Sequence, residues 1–404
     1  MKKGIFAPAD ILLPRGDFER WSVIACDQYT SSTDYWDEVN RLTDGVPSTR
    51  HLIYPEVYLG KSDAAAVTAS INREMQAYLD AGVYEEYADA LIYVERIQSD
   101  GALRQGLVGM VDLDEYDYTE GSTSRIRATE KTVLERIPPR VEVRKNAPTE
   151  LPHVLMLIDD AERAILEPLQ ALARDGKMQK VYDFDLMLGG GHLTGYLVPR
   201  ERNAHICAQI EHLGEKHDGI TLAVGDGNHS LATAKACREL CRTEVNRYAL
   251  CELVNIHSEA LVFEPIYRTV ENVDPNALLA AFRRYASSTN PTGNKPQTVT
   301  FVTDTLKTEV SIANPPHALA VGTVQLFLDS YLPTQAGAVI DYIHDEDEVA
   351  AVVAKGNACG FLYDCMGKSE LFDAVAREGV LPRKTFSMGH ARDKRYYTEV
   401  RKIK

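Results

Sequence analysis

Asp226 and His229 stand three positions apart in a glycine-rich turn, Gly225-Asp226-Gly227-Asn228-His229-Ser230, and those types can do chemistry together. A carboxylate can hold a divalent cation, and an imidazole can pass a proton near neutral pH. Glycines let the backbone close on a ligand. The turn is entered by an apolar run, Ile220 to Val224, and left by a helical pattern that begins Leu231-Ala232-Thr233-Ala234. A strand, a tight turn and a helix start in succession build anion sites. The first helical amides lack intrahelical acceptors, and the helix dipole adds about half a positive charge there. The segment is a place for phosphate, metal or proton transfer. Its plain alternative is an ordinary Asp-Gly, Gly-Asn turn in which Asn228 or Ser230 caps a helix.

Two further segments combine charges with hydroxyls. Ile126-Arg127-Ala128-Thr129-Glu130-Lys131-Thr132 brings an acid, bases and hydroxyls together, with an exposed helix face as the alternative. Leu381-Pro382-Arg383-Lys384-Thr385-Phe386-Ser387 offers two cations and two hydroxyls suited to phosphate oxygens, or else a solvent-facing basic strand. Asp27 and Thr30 lie in the polar loop after the early run Trp21 to Cys26 and are candidate substrate contacts. Other patterns fail on spacing. Met366-Gly367-Lys368-Ser369 lacks the first glycine of a P-loop, because Leu362 holds that position. Gly189-Gly190-Gly191 precedes a strand pattern where a dinucleotide fingerprint needs a helix.

The elements that must position these residues alternate along the chain. A helix is expected from Ser62 to Gly82, capped by Ser62 or Asp63, followed by a hairpin of Ala90–Ile97 and Arg104–Asp112. Residues 126–147 read as partly helical, 154–158 as a strand and 161–174 as a helix. A helix from Arg200 to Lys216 then leads into the strand–turn–helix segment, and Pro275 to Ala286 forms another helix capped by Asp274. Ser287 to Gln297, SSTNPTGNKPQ, is the clearest linker. The expected architecture is α/β: a mixed-sheet main body over residues 1–290 and a smaller C-terminal α/β unit over 298–380. A basic tail, 381–404, is expected to return to the body and complete the site.

Composition narrows the function. The chain has 404 residues, 45% of them hydrophobic and 25% charged, as in ordinary globular proteins. Its net charge of −15 repels polyanions, so nucleic acid is not an expected partner. Seven scattered cysteines without a C-x-x-C pair suit a reduced, cytoplasmic protein. No stretch reads as a signal peptide or membrane span. Oligomeric state is not legible.

The order of the three segments resembles domain of unknown function 1015, an uncharacterised prokaryotic family. Its Glu-Lys-Thr, Asp-Gly-His-His-Arg and Pro-x-Lys-Ser/Thr-x-Phe elements correspond here to Glu130-Lys131-Thr132, Asp226-Gly227-Asn228-His229-Ser230 and Pro382-Arg383-Lys384-Thr385-Phe386. Pro265-Ile266-Tyr267-Arg268 matches a fourth stretch. Asn228, Ser230 and Thr129 depart from the family residues, and Phe386 comes one position early. The turn is also distantly similar to the ParB/sulfiredoxin-like superfamily, which includes free-serine kinases. Together these imply a phosphotransferase that uses magnesium and ATP or ADP on a small hydroxylated metabolite, of amino-acid or sugar type. Gly225, Gly227, Asn228 and Ser230 would cradle phosphates, Asp226 would hold the metal, and His229 would donate to a phosphate oxygen. Glu130 would orient the acceptor hydroxyl beside Lys131, while Lys384 and Thr385 close over the transferred group. A non-catalytic nucleotide-binding regulator and a metal-independent hydrolase using His229 and Asp226 are the alternatives.

Overall fold

In the computed structural model, which describes residues 4–61, 63–119, 121–132 and 134–404, the chain divides into two compact units. The first comprises residues up to Leu261 together with Gly389–Lys404, and the second comprises Val262–Met388. Both mix helices with sheets, so the fold is α/β with mixed strand directions.

A ten-stranded sheet forms the body of the first unit. From one edge its strands run Gln179–Asp185, His192–Leu197, Ile92–Ile97, Leu103–Asp112, Tyr248–Asn255, Val154–Ile158, Leu222–Asp226, Ile126–Ala128 and Tyr116–Asp117. Phe6–Ala7 pairs on the side of Leu103–Asp112. The first four strands pair antiparallel, as two hairpins side by side. Val154–Ile158 is parallel to Tyr248–Asn255 but antiparallel to Leu222–Asp226, which is itself parallel to Ile126–Ala128. The central strands Val154–Ile158 and Tyr248–Asn255 are buried along their whole length, which explains the unbroken apolar run of the first.

Several expectations need correcting. Residues 126–128 form a strand, not a helix; two of the three are β-branched or small apolar and all are buried against Leu222–Val224. The helix expected over 161–174 is only Glu167–Arg174, because Asp160 Oδ2 accepts from the Ile165 amide at 2.9 Å and holds the preceding residues in a turn. The helical part of 126–147 is Ile137–Arg144, with Pro138 and Pro139 at its start, where proline's missing N–H costs nothing. The helix Ala64–Asp80 is capped by Asp63, whose Oδ1 accepts from Ala65 and Ala66; Ser62 lies outside the described residues.

The second unit is built on five strands in the order Lys307–Ile312, Gln297–Val302, Ala358–Leu362, Tyr267–Glu271 and Val339–Ile343, with every neighbour antiparallel. Its core is aromatic: Phe282 and Phe301 each meet Phe361 edge-on. Tyr267–Glu271 is hydrogen-bonded on both sides within this sheet, so the unit begins before the linker at 287–297. That linker joins the helix Pro275–Ser288 to the next strand inside the same unit.

From Gly389 the tail belongs to the first unit. Tyr396–Tyr397 pairs with Val23–Ile24, and Arg401–Lys402 pairs with Thr149–Glu150. Two of its basic residues are buried, Arg395 and Arg401 at 2% and 5% exposed, while Arg392, Lys402 and Lys404 face solvent. Arg395 lies between Glu252, at 2.8 Å, and Glu399. The seven cysteines are all free. Among the described residues no helix is long and apolar enough to cross a membrane.

Candidate functional site

The strand Leu222–Asp226 ends where the sequence places its turn. Across the ladder Asp226 pairs with Leu155 and Val224 with Met156, so Gly225 is the extra residue of a bulge just before Asp226. Gly227 then takes φ +83°, and a Cβ there would lie 2.9 Å from His153 Cδ2 and 3.1 Å from the Val154 Cα. Only glycine fits that conformation and that approach. The helix Asn228–Leu240 follows, its first backbone bond running from the Leu231 amide to the Gly227 carbonyl at 3.0 Å. Gly227 caps this helix without a side chain, so no cap shields its leading end. Leu231, Ala232 and Cys237 anchor its inner face, and Arg238 ties it to Asp114 at 3.1 Å.

Parallel pairing supplies the second component. Ala128 lies opposite Val224, and the Thr129 hydroxyl donates to the Val224 carbonyl at 2.7 Å. Glu130 and Asp226 each follow that pair by two residues, so both carboxylates emerge at the same end of neighbouring strands. Glu130 is half-buried; Lys131 is exposed.

A third component was missed from sequence. His153, immediately before the strand Val154–Ile158, has Nε2 3.1 Å from Asp27 Oδ2 and Nδ1 2.6 Å from the Tyr397 hydroxyl. Tyr397 donates in turn to Cys26 Sγ at 3.4 Å. Burial alone would lower the imidazole's pKa, yet Tyr397 and Asp27 overrule it and hold His153 well above its usual value. Burial would likewise raise Asp27, but the His153 charge and hydrogen bond, Gln28 and Lys394 keep it well below the carboxylate range. Asp27 is thus a permanent carboxylate, with 30% of its side chain exposed. Lys394 also reaches Asp226, Nζ to Oδ2 at 3.3 Å, and so faces both aspartates.

The structure therefore brings together Asp27, Asp226, Gly225, Gly227 and the start of the helix that carries Asn228, His229 and Ser230, with Glu130 on the adjoining strand end. The side chains of His229 and Ser230 are half-buried, and the Asn228 Oδ1 is sealed from solvent without a hydrogen-bond partner. Thr30 is exposed. Lys384 and Thr385 belong to the second unit, where the Thr385 hydroxyl is buried and donates to the Pro382 carbonyl at 2.6 Å. No group of three or more His, Cys, Asp or Glu among the described residues could hold a metal by itself. Asp226 still fits one role: a single carboxylate completed by phosphate oxygens and water is an ordinary magnesium ligand set. His153 and Tyr397 escaped notice because each stands alone in sequence. The only available signal was His153 beside the start of a fully apolar strand.

Two other imidazole groups lie elsewhere in this unit. His192 sits between Asp183 and Asp185, at 2.7 Å from each. His217 and His257 share Asp159, which follows the carboxyl end of Val154–Ile158, the end opposite His153. His217 is therefore held by a carboxylate.

A family model described as a protein of unknown function, DUF1015, matches residues 6–331. No curated protein matches the sequence. Among solved structures, a conserved hypothetical protein from Pyrococcus furiosus is 11% identical with a TM-score of 0.36, over 70% of this chain and 90% of that one. A free serine kinase in complex with AMP is 12% identical with a TM-score of 0.39, over 73% and 91%. SbnI from Staphylococcus aureus is 10% identical with a TM-score of 0.36, over 70% and 82%.

Proposed function

The chain belongs to the DUF1015 family, and we propose that within it this protein is a nucleotide-dependent phosphotransferase acting on a small hydroxylated metabolite. One observation carries the reading. Glu130 and Asp226 leave parallel neighbouring strands at the same level, beside a helix start without a side-chain cap, and Lys394 lies 3.3 Å from Asp226.

Phosphoryl transfer asks for positioning and for charge to be neutralised where the phosphate oxygens lie. The leading amides of Asn228–Leu240 and the Lys394 ammonium supply positive potential. Asp226 would carry the magnesium that accompanies ATP or ADP; bound there, the ion neutralises phosphate charge. His229 donates to a phosphate oxygen. Glu130 orients the acceptor hydroxyl and can take its proton. Asp27, ionised and braced by His153, is suited to a fixed contact with a substrate hydroxyl or ammonium and is too acidic to serve as the base. The similarity of the turn to the ParB/sulfiredoxin-like superfamily, with its free-serine kinases, favours an amino-acid acceptor among such metabolites.

The test is purified full-length protein with magnesium and ATP or ADP against a panel of amino acids and sugars, with products read by mass spectrometry. A phosphorylated acceptor is expected, with turnover lost in Asp226→Ala and in Glu130→Gln. An absence of nucleotide binding ends the proposal. Tight nucleotide binding with no product on any acceptor, and affinity unchanged in Glu130→Gln, replaces it with a regulatory nucleotide-binding protein.

A further inference from the structure

The second unit concentrates positive charge at one aromatic ring. Tyr342, in the strand Val339–Ile343, has the Arg268 guanidinium 4.8 Å from its ring centre, that of Arg383 at 4.9 Å and the Lys384 ammonium at 5.3 Å. Arg383 also donates from Nε to the Tyr342 hydroxyl at 2.9 Å. Among the described residues none of these three cations has a carboxylate partner within 4.0 Å.

Arg268 makes the cluster more than a solvated patch. It is fully buried, yet every acceptor it reaches is neutral: Gln325 Oε1 at 3.1 Å, the Ile266 carbonyl at 2.6 Å, the Tyr363 hydroxyl at 3.3 Å, and the carbonyls of Lys384 and Arg383 at 2.8 and 2.9 Å. A buried cation without a counter-ion is costly, and its field is left uncancelled. Its bonds to the 383 and 384 carbonyls also fix the turn in which Lys384 adopts φ +53°, a conformation unusual for a lysine. Two exposed cations are thereby pinned beside a third that is buried. Like charges gathered around one ring repel, and a bound anion relieves that repulsion.

The donor chemistry narrows the occupant. Guanidinium and ammonium groups only donate, and the Tyr342 oxygen already accepts from Arg383, which leaves its own proton to give. A guanidinium fork with an adjacent ammonium matches phosphate oxygens. We propose that Arg383, Lys384 and Tyr342, backed by Arg268, form a binding site for a phosphoryl group within the second unit. Thr385 is not among its donors, since its hydroxyl already serves Pro382. The site stands apart from the reading of the Asp226 corner, and its test separates the two.

Full-length protein is titrated calorimetrically with inorganic pyrophosphate, then with ADP in competition. The proposal expects wild-type binding of pyrophosphate, weakened at least tenfold in the double variant R383Q/K384Q and retained in Lys394→Gln. Displacement by ADP identifies a nucleotide as the source of the phosphoryl group; no displacement identifies a non-nucleotide phosphate. Equal affinity in the double variant, absence of pyrophosphate binding, or a loss confined to Lys394→Gln overturns it.

Discussion

Lys394 and Arg395 are neighbours in sequence but belong to two differently built charge clusters of the first unit. Arg395 is buried between Glu252 and Glu399, with Arg104 3.7 Å from Glu252 and the Tyr182 hydroxyl 2.6 Å from Glu399. Cations and carboxylates there are matched, and all of them are shut away from water. Lys394 faces the other way, into a corner where Asp27 and Asp226 remain 30% and 24% exposed. Matched, sealed charges hold the tail in place. Accessible carboxylates beside a helix start leave capacity for a ligand.

The largest expected effect breaks the sealed cluster. Arg395→Met leaves Glu252 and Glu399 buried without their cation, and should cost about 3–5 kcal/mol of unfolding free energy in urea denaturation. A loss below about 1 kcal/mol would erase the contrast between the clusters. Asp226→Ala should behave oppositely, with stability within about 1 kcal/mol of wild type because its ion pair is partly exposed. Phosphotransfer in that variant should fall on the order of a hundredfold. Equal damage to stability and activity would make Asp226 a scaffold residue.

Gly227→Ala tests the joint between the two behaviours. Its positive φ and the nearness of His153 predict a loss of about 1–3 kcal/mol, measured by thermal melting, together with weakened nucleotide binding. A neutral melt and unchanged affinity would show that the turn tolerates a side chain.

The smallest effect sharpens the picture of Asp27 and His153. A raised imidazole pKa contributes stability that is complete below its unfolded value, about 6.5, and is lost as pH rises through the raised value. A depressed carboxylate contributes stability above its unfolded value, about 3.9, which is lost as pH falls through the depressed one. Both contributions are therefore complete between roughly pH 4 and 6.5. In Asp27→Asn the His153 pKa should fall by about one unit or more, read from its ring proton shifts in NMR. An unchanged titration would remove Asp27 as the cause.

Much of this architecture was legible where local chemistry decides it. The turn at Gly225–Ser230, the cap at Asp274 and the strand Val154–Ile158 follow from glycine, capping and apolar runs. Ile126–Ala128 was misread because its strand character comes from a neighbour nearly a hundred residues later. The unit boundary was set at the linker 287–297, since composition reports a flexible stretch and not which sheet recruits Tyr267–Glu271. The tail was expected to return to the body, but the partners that bury Arg395 and Arg401 there are invisible without the fold. His153 and Tyr397 were invisible for the same reason: they meet across 244 positions.

The most direct test is a crystal structure of the full chain with magnesium and ADP. The account predicts phosphate oxygens within about 3 Å of the leading amides of the helix Asn228–Leu240, with Asp226 beside the metal. A nucleotide bound elsewhere, with that helix start facing only solvent, would contradict it.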